Sequence, residues 1–340
     1  GQSAGESSEH SPRRWPGRWR PLSRPAIFTA ALSCGTVLAA AGYYGGSSDG
    51  FTPISMRLLG EDERARYQMA QNAVASHREL AVAGECRLID AAISREYLSA
   101  IESCYQRHGP ATVILGDSHA EDIYHALGLT TQQPFLVGLA QVGCQPYTPN
   151  TECPYQDFAD FLRHNPDRVD RVIYKQSGSF LVADARGNPV NMDLYRQRDL
   201  PVQTTHDDNV HQVLSYLKEI AAYTEVVWLG PRLEPQIDIW NIVRSDCEWE
   251  SGSLKPAMVE TFLKLDRHLQ ALVSSPGAAV DGGSLAARLS YVSEIDLVNF
   301  DVKEDFWDCE AVYWRDGDHW SVFGEKRFGQ RIASILADTR

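Results

Sequence analysis

The chain has 340 residues, 43% of them hydrophobic, and a formal net charge of −13 at pH 7. That apolar content supports a packed core and excludes disorder for the bulk of the chain, while the length allows one large α/β domain with accessory segments. The acidic balance excludes general nucleic-acid binding and disfavours adsorption of the main domain onto anionic lipid.

Residues 1–24 are polar and rich in Pro and Arg, with Arg13, Arg14, Arg18, Arg20 and Arg24 and no acid between them. From Pro25 to Ser48 no residue is charged, and the stretch from Ala26 to Ala41 is apolar and small. This predicts a transmembrane helix over 25–46. The preceding arginines hold 1–24 on the cytoplasmic side and send everything after Gly46 outward. A cleaved signal peptide is the competing reading, with Ala39-Ala40-Ala41 before Gly42 as the cleavage site, but the apolar run is long for one. From Asp62 to Ser103 alanines and Glu/Arg pairs recur at helical spacing, so 47–106 reads as a helical spacer.

From 107 to 340, short apolar runs alternate with helix-like runs. Expected strands are Thr112–Leu115, Phe135–Ala140, Val172–Lys175, Val226–Gly230 and Tyr291–Leu297. Expected helices are Ala120–Leu129, Asp157–His164, Asp207–Ala222, Pro256–Val273 and Val322–Ala337, with Ser321 capping the last and Glu325 and Lys326 on its exposed side. This alternation predicts an α/β domain with a mostly parallel sheet covered on both faces. Cys34 falls in the apolar segment, and the other six cysteines follow it. An even count on the outer side suggests disulfides, and nearest-neighbour pairing gives Cys86–Cys104, Cys144–Cys153 and Cys247–Cys309. No Cys-x-x-Cys occurs, so zinc has no local support, and no metal or cofactor is expected.

Two short motifs carry chemistry. Val113-Ile114-Leu115 ends at Gly116-Asp117-Ser118-His119, where a helix begins. This places the Ser118 hydroxyl at the C-terminal end of a buried strand, in front of a helix N-terminus that favours negative charge. Near the other end lies Asp316-Gly317-Asp318-His319-Trp320-Ser321. An Asp three residues before a His can orient and polarise it, and that His can deprotonate a serine. Ser118 is therefore the candidate nucleophile, His319 the general base and later acid, and Asp316 the orienting carboxylate. Asp318 reads as a solvated or capping residue, and Asp117 as a group that stiffens the turn. The oxyanion donors are the N–H of Ser118 and that of Gly143, which follows the second strand. His119 and Trp320 are candidate substrate contacts, although helix packing and core packing are the more common uses of such residues.

Gly-Asp-Ser-His early with Asp-x-x-His late resembles the SGNH (GDSL-like) hydrolase superfamily. The arginine-flanked apolar segment, the spacer with Cys86 and Cys104, and Gly143-Cys144 make the chain most similar to the extracytoplasmic SGNH domain fused to acyltransferase-3 membrane proteins. The resemblance implies a three-layer α/β/α domain and O-acylation of a bacterial surface or secreted glycan, with acetyl as the usual group. It further implies an acyl donor delivered by an acyltransferase-3 membrane domain, in the same full-length chain or a separate protein, and a site on the periplasmic side of the inner membrane. The same residues would serve an esterase, and a degenerate site would leave a glycan-binding domain. One departure stands out: the superfamily's Gly-x-Asn-Asp block is missing. Its place reads Val172-Ile173-Tyr174-Lys175-Gln176-Ser177-Gly178, so either Gln176 or Ser177 replaces the missing donor or only two donors act.

Overall fold

The computed structural model describes residues 59–75, 84–148, 153–188, 190, 201–235, 242, 254–275, 288–308 and 310–336. Strand β2, the segment Ala111–Gly116, sets the architecture: all of its residues are buried. A strand apolar on both faces must be covered on both. It is flanked by β1 (Arg87–Asp90), β3 (Leu136–Ala140), β4 (Val169–Lys175), β7 (Glu225–Leu229) and β8 (Leu289–Val292) in the order β1-β3-β2-β4-β7-β8, with every pairing parallel. Two short strands, β5 (Val182–Ala183) and β6 (Thr204–Thr205), form a separate antiparallel ladder.

Side chains alternate between two cores, as a period of two requires. Val113, Leu115, Val172, Tyr174, Val226 and Trp228 face one core. It is closed by α2 (Arg95–His108), α4 (Tyr155–His164), α5 (Asp207–Ala221) and α6 (Pro256–Ser274) through residues such as Ile101, Phe158, Val213 and Phe262. Ile114, Ile173, Val227 and Leu229 face the other, covered by α1 (Glu61–Ala75), α3 (Ser118–Thr130) and α8 (Val322–Ile332) through Ala70, Ile123 and Phe328. The expected three-layer α/β/α arrangement is therefore present.

Some boundaries differ from the sequence reading. The stretch expected as a helical spacer contains β1, which pairs with β3 as the sheet's edge strand. Only Leu88 and Ile89 separate Arg87 from Asp90, so pairing rather than local pattern makes this a strand. The expected strand Tyr291–Leu297 stops at Val292. Ser293 Oγ then accepts the Asp296 N–H at 3.1 Å and starts the short helix α7 (Glu294–Val298). Ser321 caps α8 by accepting the Gly324 N–H at 3.2 Å. Glu325, expected on the exposed side, is fully buried, while Lys326 is exposed. Burial pushes the Glu325 carboxyl up to about 10, aided by the charge of Asp122.

Cys86–Cys104 and Cys144–Cys153 are bonded as nearest-neighbour pairing predicts. The third pair, Cys247–Cys309, lies outside the described residues, as do Cys34 and the segments 1–24 and 25–46. Among the described residues no helix is long and apolar enough to cross a membrane.

After β2 the chain builds β3 on one side of it and later β4 on the other. The C-terminal end of β2 is thus the topological switch point where open α/β sheets form a crevice. Gly116 lets this end close: a Cβ there would lie 1.7 Å from the Lys175 carbonyl oxygen on β4 and 2.9 Å from Ala120 Cβ. Gly116→Ala is expected to destabilise the domain by about 1–3 kcal/mol, the usual cost of overpacking. Thermal unfolding should show this as a midpoint lowered by several degrees; an unchanged midpoint would mean the strand ends can spread apart.

Candidate active site

Asp117, the residue between β2 and α3, is buried and caps the helix: its Oδ1 accepts the His119 N–H at 2.9 Å. Its Oδ2 accepts the Ser177 N–H at 2.8 Å, which ties the turn to the loop after β4. Asp117 therefore stiffens the turn, as its position suggested. Ser118 becomes the first residue of α3 rather than its cap, and its hydroxyl stays partly accessible.

The last loop comes back to it as the tip of a small hairpin. Trp314 and Trp320 form an isolated antiparallel bridge, and the Arg315 N–H donates to the His319 carbonyl at 2.9 Å. Within the tip, Asp316 Oδ1 accepts the N–H of Asp318 at 3.0 Å and of His319 at 2.8 Å. Both Asp316 oxygens lie 3.0 Å from His319 Nδ1, and His319 Nε2 lies 2.8 Å from Ser118 Oγ. With Nδ1–H donating to Asp316, Nε2 is left to accept the Ser118 proton. The structure thus brings Ser118, His319 and Asp316 together across 201 residues of sequence.

Asp318 is not the solvated residue its position suggested. Its Oδ1 is 3.2 Å from His319 Nδ1 and its Oδ2 is 3.7 Å from Nε2 of the buried His119. The tight Asp316 turn folds the backbone back so that the adjacent side chain also reaches the ring. Burial of the His319 ring opposes its charge. The hydrogen bonds to Asp316 and Asp318, with the charges of Asp122 and Asp318, outweigh that and hold its pKa up to about 10. The two imidazoles in turn hold the Asp318 carboxyl well below the ordinary carboxylate range, against its own burial.

Two effects of pH follow, with opposite signs. Only the neutral imidazole can take the Ser118 proton, so the rate of Ser118 acylation should rise with pH towards about 10. The raised pKa also means that His319 stabilises the fold fully below its ordinary value of 6.5, and that this contribution is lost as pH rises through about 10. Acylation kinetics and thermal unfolding between pH 6 and 10 would check both; an acylation rate flat above pH 7 would mean the ring is already neutral there.

Gly143 sits in the loop between β3 and α4 with a φ of 71°, and a Cβ there would meet nothing within 4 Å. It is held between Gln141, whose carbonyl accepts the Cys144 N–H, and the Cys144–Cys153 disulfide. Of the two residues in the place of the missing Asn, Ser177 is occupied: its N–H goes to Asp117 and its hydroxyl lies within hydrogen-bond distance of Ser179 and Glu234. Gln176 accepts from the Tyr174 hydroxyl, and its amide nitrogen is buried with no hydrogen-bond partner among the described residues.

The two expected substrate contacts are corrected. His119 is fully buried, with its ring edge-on to His319 at 5.4 Å. Trp320 is 1% exposed; the Arg232 guanidinium lies over its ring at 3.9 Å and Phe328 packs against it at 4.9 Å. Neither offers surface to a substrate, because both sit under the loop rather than on it. Among the described residues, His119, Asp318 and His319 are also the group whose ligand atoms, within 4.8 Å of one another, could hold a metal ion.

No family model matches the chain, and no curated protein matches it. Solved structures do. The periplasmic domain of a lipopolysaccharide acetyltransferase from Salmonella ser. Paratyphi A is 13% identical, with a TM-score of 0.46 over 80% of this chain and 100% of that one. Est24, a carbohydrate acetylesterase from Sinorhizobium meliloti, is 12% identical, with a TM-score of 0.36 over 67% of this chain and 98% of that one. A peptidoglycan O-acetylesterase is 14% identical, with a TM-score of 0.32 over 60% of this chain and 46% of that one.

Proposed function

We propose that this chain is an SGNH-type acyl-transfer enzyme that works through an acyl ester on Ser118. The observation that carries the reading is the hydrogen-bonded series from Ser118 Oγ to His319 Nε2 at 2.8 Å and from His319 Nδ1 to Asp316 at 3.0 Å. His319 takes the Ser118 proton as Oγ attacks the acyl carbonyl, then returns it to the leaving group. The oxyanion is received by the N–H of Ser118, which as the first residue of α3 has no intrahelical acceptor, and by that of Gly143. Gln176, buried just after β4, is the residue that stands in the place of the missing Asn. A second hydroxyl, activated by the same His319, then takes the acyl group.

The acceptor we propose is a bacterial surface or secreted glycan and the group is acetyl, supplied by an acyltransferase-3 membrane domain. The apolar stretch behind five arginines supports anchoring in the inner membrane, and the Cys86–Cys104 and Cys144–Cys153 bonds support a periplasmic site. One observation favours the alternative, hydrolysis of glycan esters: Asp316 is 47% exposed and His319 16%, so water can reach the base. A non-catalytic glycan-binding role has no use for the aligned series.

Glycan-bound O-acetyl content in cells carrying Ser118→Ala in the full native protein separates these. A fall relative to wild type supports transfer, a rise supports hydrolysis, and no change at normal protein levels rejects both for acetyl groups.

A further inference from the structure

Four charged side chains lie buried behind the triad in alternating sign. Lys175 Nζ is 2.5 Å from Glu294 Oε2, Glu294 Oε1 accepts from Arg232 Nε at 2.9 Å, and Arg232 Nη1 donates to Asp122 Oδ2 at 2.5 Å. The series begins on β4, crosses to α7 and to the segment after β7, and ends on α3. Its members are each no more than 3% exposed. Buried charges persist only when paired and hydrogen-bonded, and this series is neutral overall.

Its last two members grip the loop that carries His319. Asp122 stands one turn after Ser118, on the same face of α3, and its Oδ2 accepts the Trp320 N–H at 3.1 Å. Arg232 Nη1 reaches the Asp318 carbonyl at 3.4 Å, and its guanidinium covers the Trp320 ring. His319 is therefore held from both flanking residues by groups fixed to the nucleophile's own helix. We infer that Asp122 and Arg232 are positioning residues that set the distance between Ser118 and His319, touching neither substrate nor the reacting atoms. This rests on the acyl-enzyme reading above.

The Ser118–His319 contact needs such a device. The two residues belong to segments 201 residues apart, and Asp316 and Asp318 orient the ring only within its own loop. Without a tie from that loop to α3, the ring could be well oriented and still stand away from Ser118. A misplacement of about 1 Å by a change remote from the chemistry can cost about 100-fold in rate.

The test uses the full chain, a fluorophosphonate probe that labels the active serine, and p-nitrophenyl acetate as a simple ester. Asp122→Asn keeps an oxygen for the Trp320 N–H and loses the charge that holds Arg232. That charge also favours the charged His319 ring, so rates are compared as full profiles from pH 6 to 10 and read at their maxima. Arg232→Lys keeps the charge and loses the planar fork. Both are scored per folded molecule, from the native fraction in the same sample. We expect kcat and labelling to fall about 10-fold or more in Asp122→Asn and less in Arg232→Lys, with KM within about two-fold of wild type. A merely structural role would lower the folded fraction and leave kcat per folded molecule unchanged, which overturns the inference. If Asp122→Asn does not fold, wild-type kcat in Arg232→Lys overturns it alone. Failure of the wild type to label rejects the acyl-enzyme reading itself.

Discussion

Ser118→Ala is expected to abolish fluorophosphonate labelling and to lower ester turnover by about 10,000-fold or more, leaving a folded protein. The size follows from chemistry. Without Oγ there is no covalent intermediate, and the donors that receive the oxyanion supply only the residual rate. Retained folding follows from the local structure. The N-cap of α3 is Asp117, and Ser118 Oγ makes its contact with His319 alone among the hydrogen bonds of the turn. Alanine is also the better helix former at that position. Intact mass after labelling, with thermal unfolding of the same sample, checks both parts. A labelled Ser118→Ala protein would move the nucleophile elsewhere.

The second large effect is expected from the two carboxylates on His319, and only when both are removed. Asp316→Asn keeps an oxygen for the N–H groups of residues 318 and 319, so the loop tip holds its shape. It loses the charge opposite Nδ1, yet Asp318 remains 3.2 Å from the same nitrogen. A triad with one carboxylate loses about 10,000-fold on this substitution, because the ring settles in the wrong tautomer. Here the single change is expected to cost only about 10–100-fold, and Asp316→Asn with Asp318→Asn the full amount. The two losses should therefore not add, the mark of groups that share one partner. If Asp316→Asn alone costs as much as the pair, Asp318 serves His119 and not the base. Because those carboxylates also hold the ring's pKa up, the double variant should shift the alkaline rise in acylation towards neutral pH.

The sequence makes the layered sheet legible where strands are apolar on both faces. Val113-Ile114-Leu115 announces itself because burial on both sides leaves no polar alternation, and Val172-Ile173-Tyr174 does the same within a strand that also carries Asp170, Arg171 and Lys175. Arg87–Asp90 does not, since its partner Leu136–Ala140 lies some 50 residues away and supplies what the local pattern lacks. The triad is legible for a similar reason. Each half carries its own local signal, a strand ending in Gly-Asp-Ser and an Asp-x-x-His before a capped helix. Asp318 is misread because adjacency in sequence argues against contact, and only the turn made by Asp316 reverses that. Asp122 and Arg232 lie 110 residues apart, and no periodicity joins them. A carboxylate next to Ile123 on α3 and a guanidinium just past a buried strand are the signals available. Each marks a buried charge that must find a partner without saying which.

The distance along the chain between nucleophile and base has a consequence for synthesis. A growing chain carries Ser118 for some 200 residues before its base exists. The β2–α3 unit can fold early on local contacts, while the hairpin tip and α8 must close a very long loop to dock on α3. Reactivity therefore arrives as the final event of folding. On the acyl-enzyme reading proposed above, the serine would stay chemically silent until the hairpin tip and α8 have docked on α3.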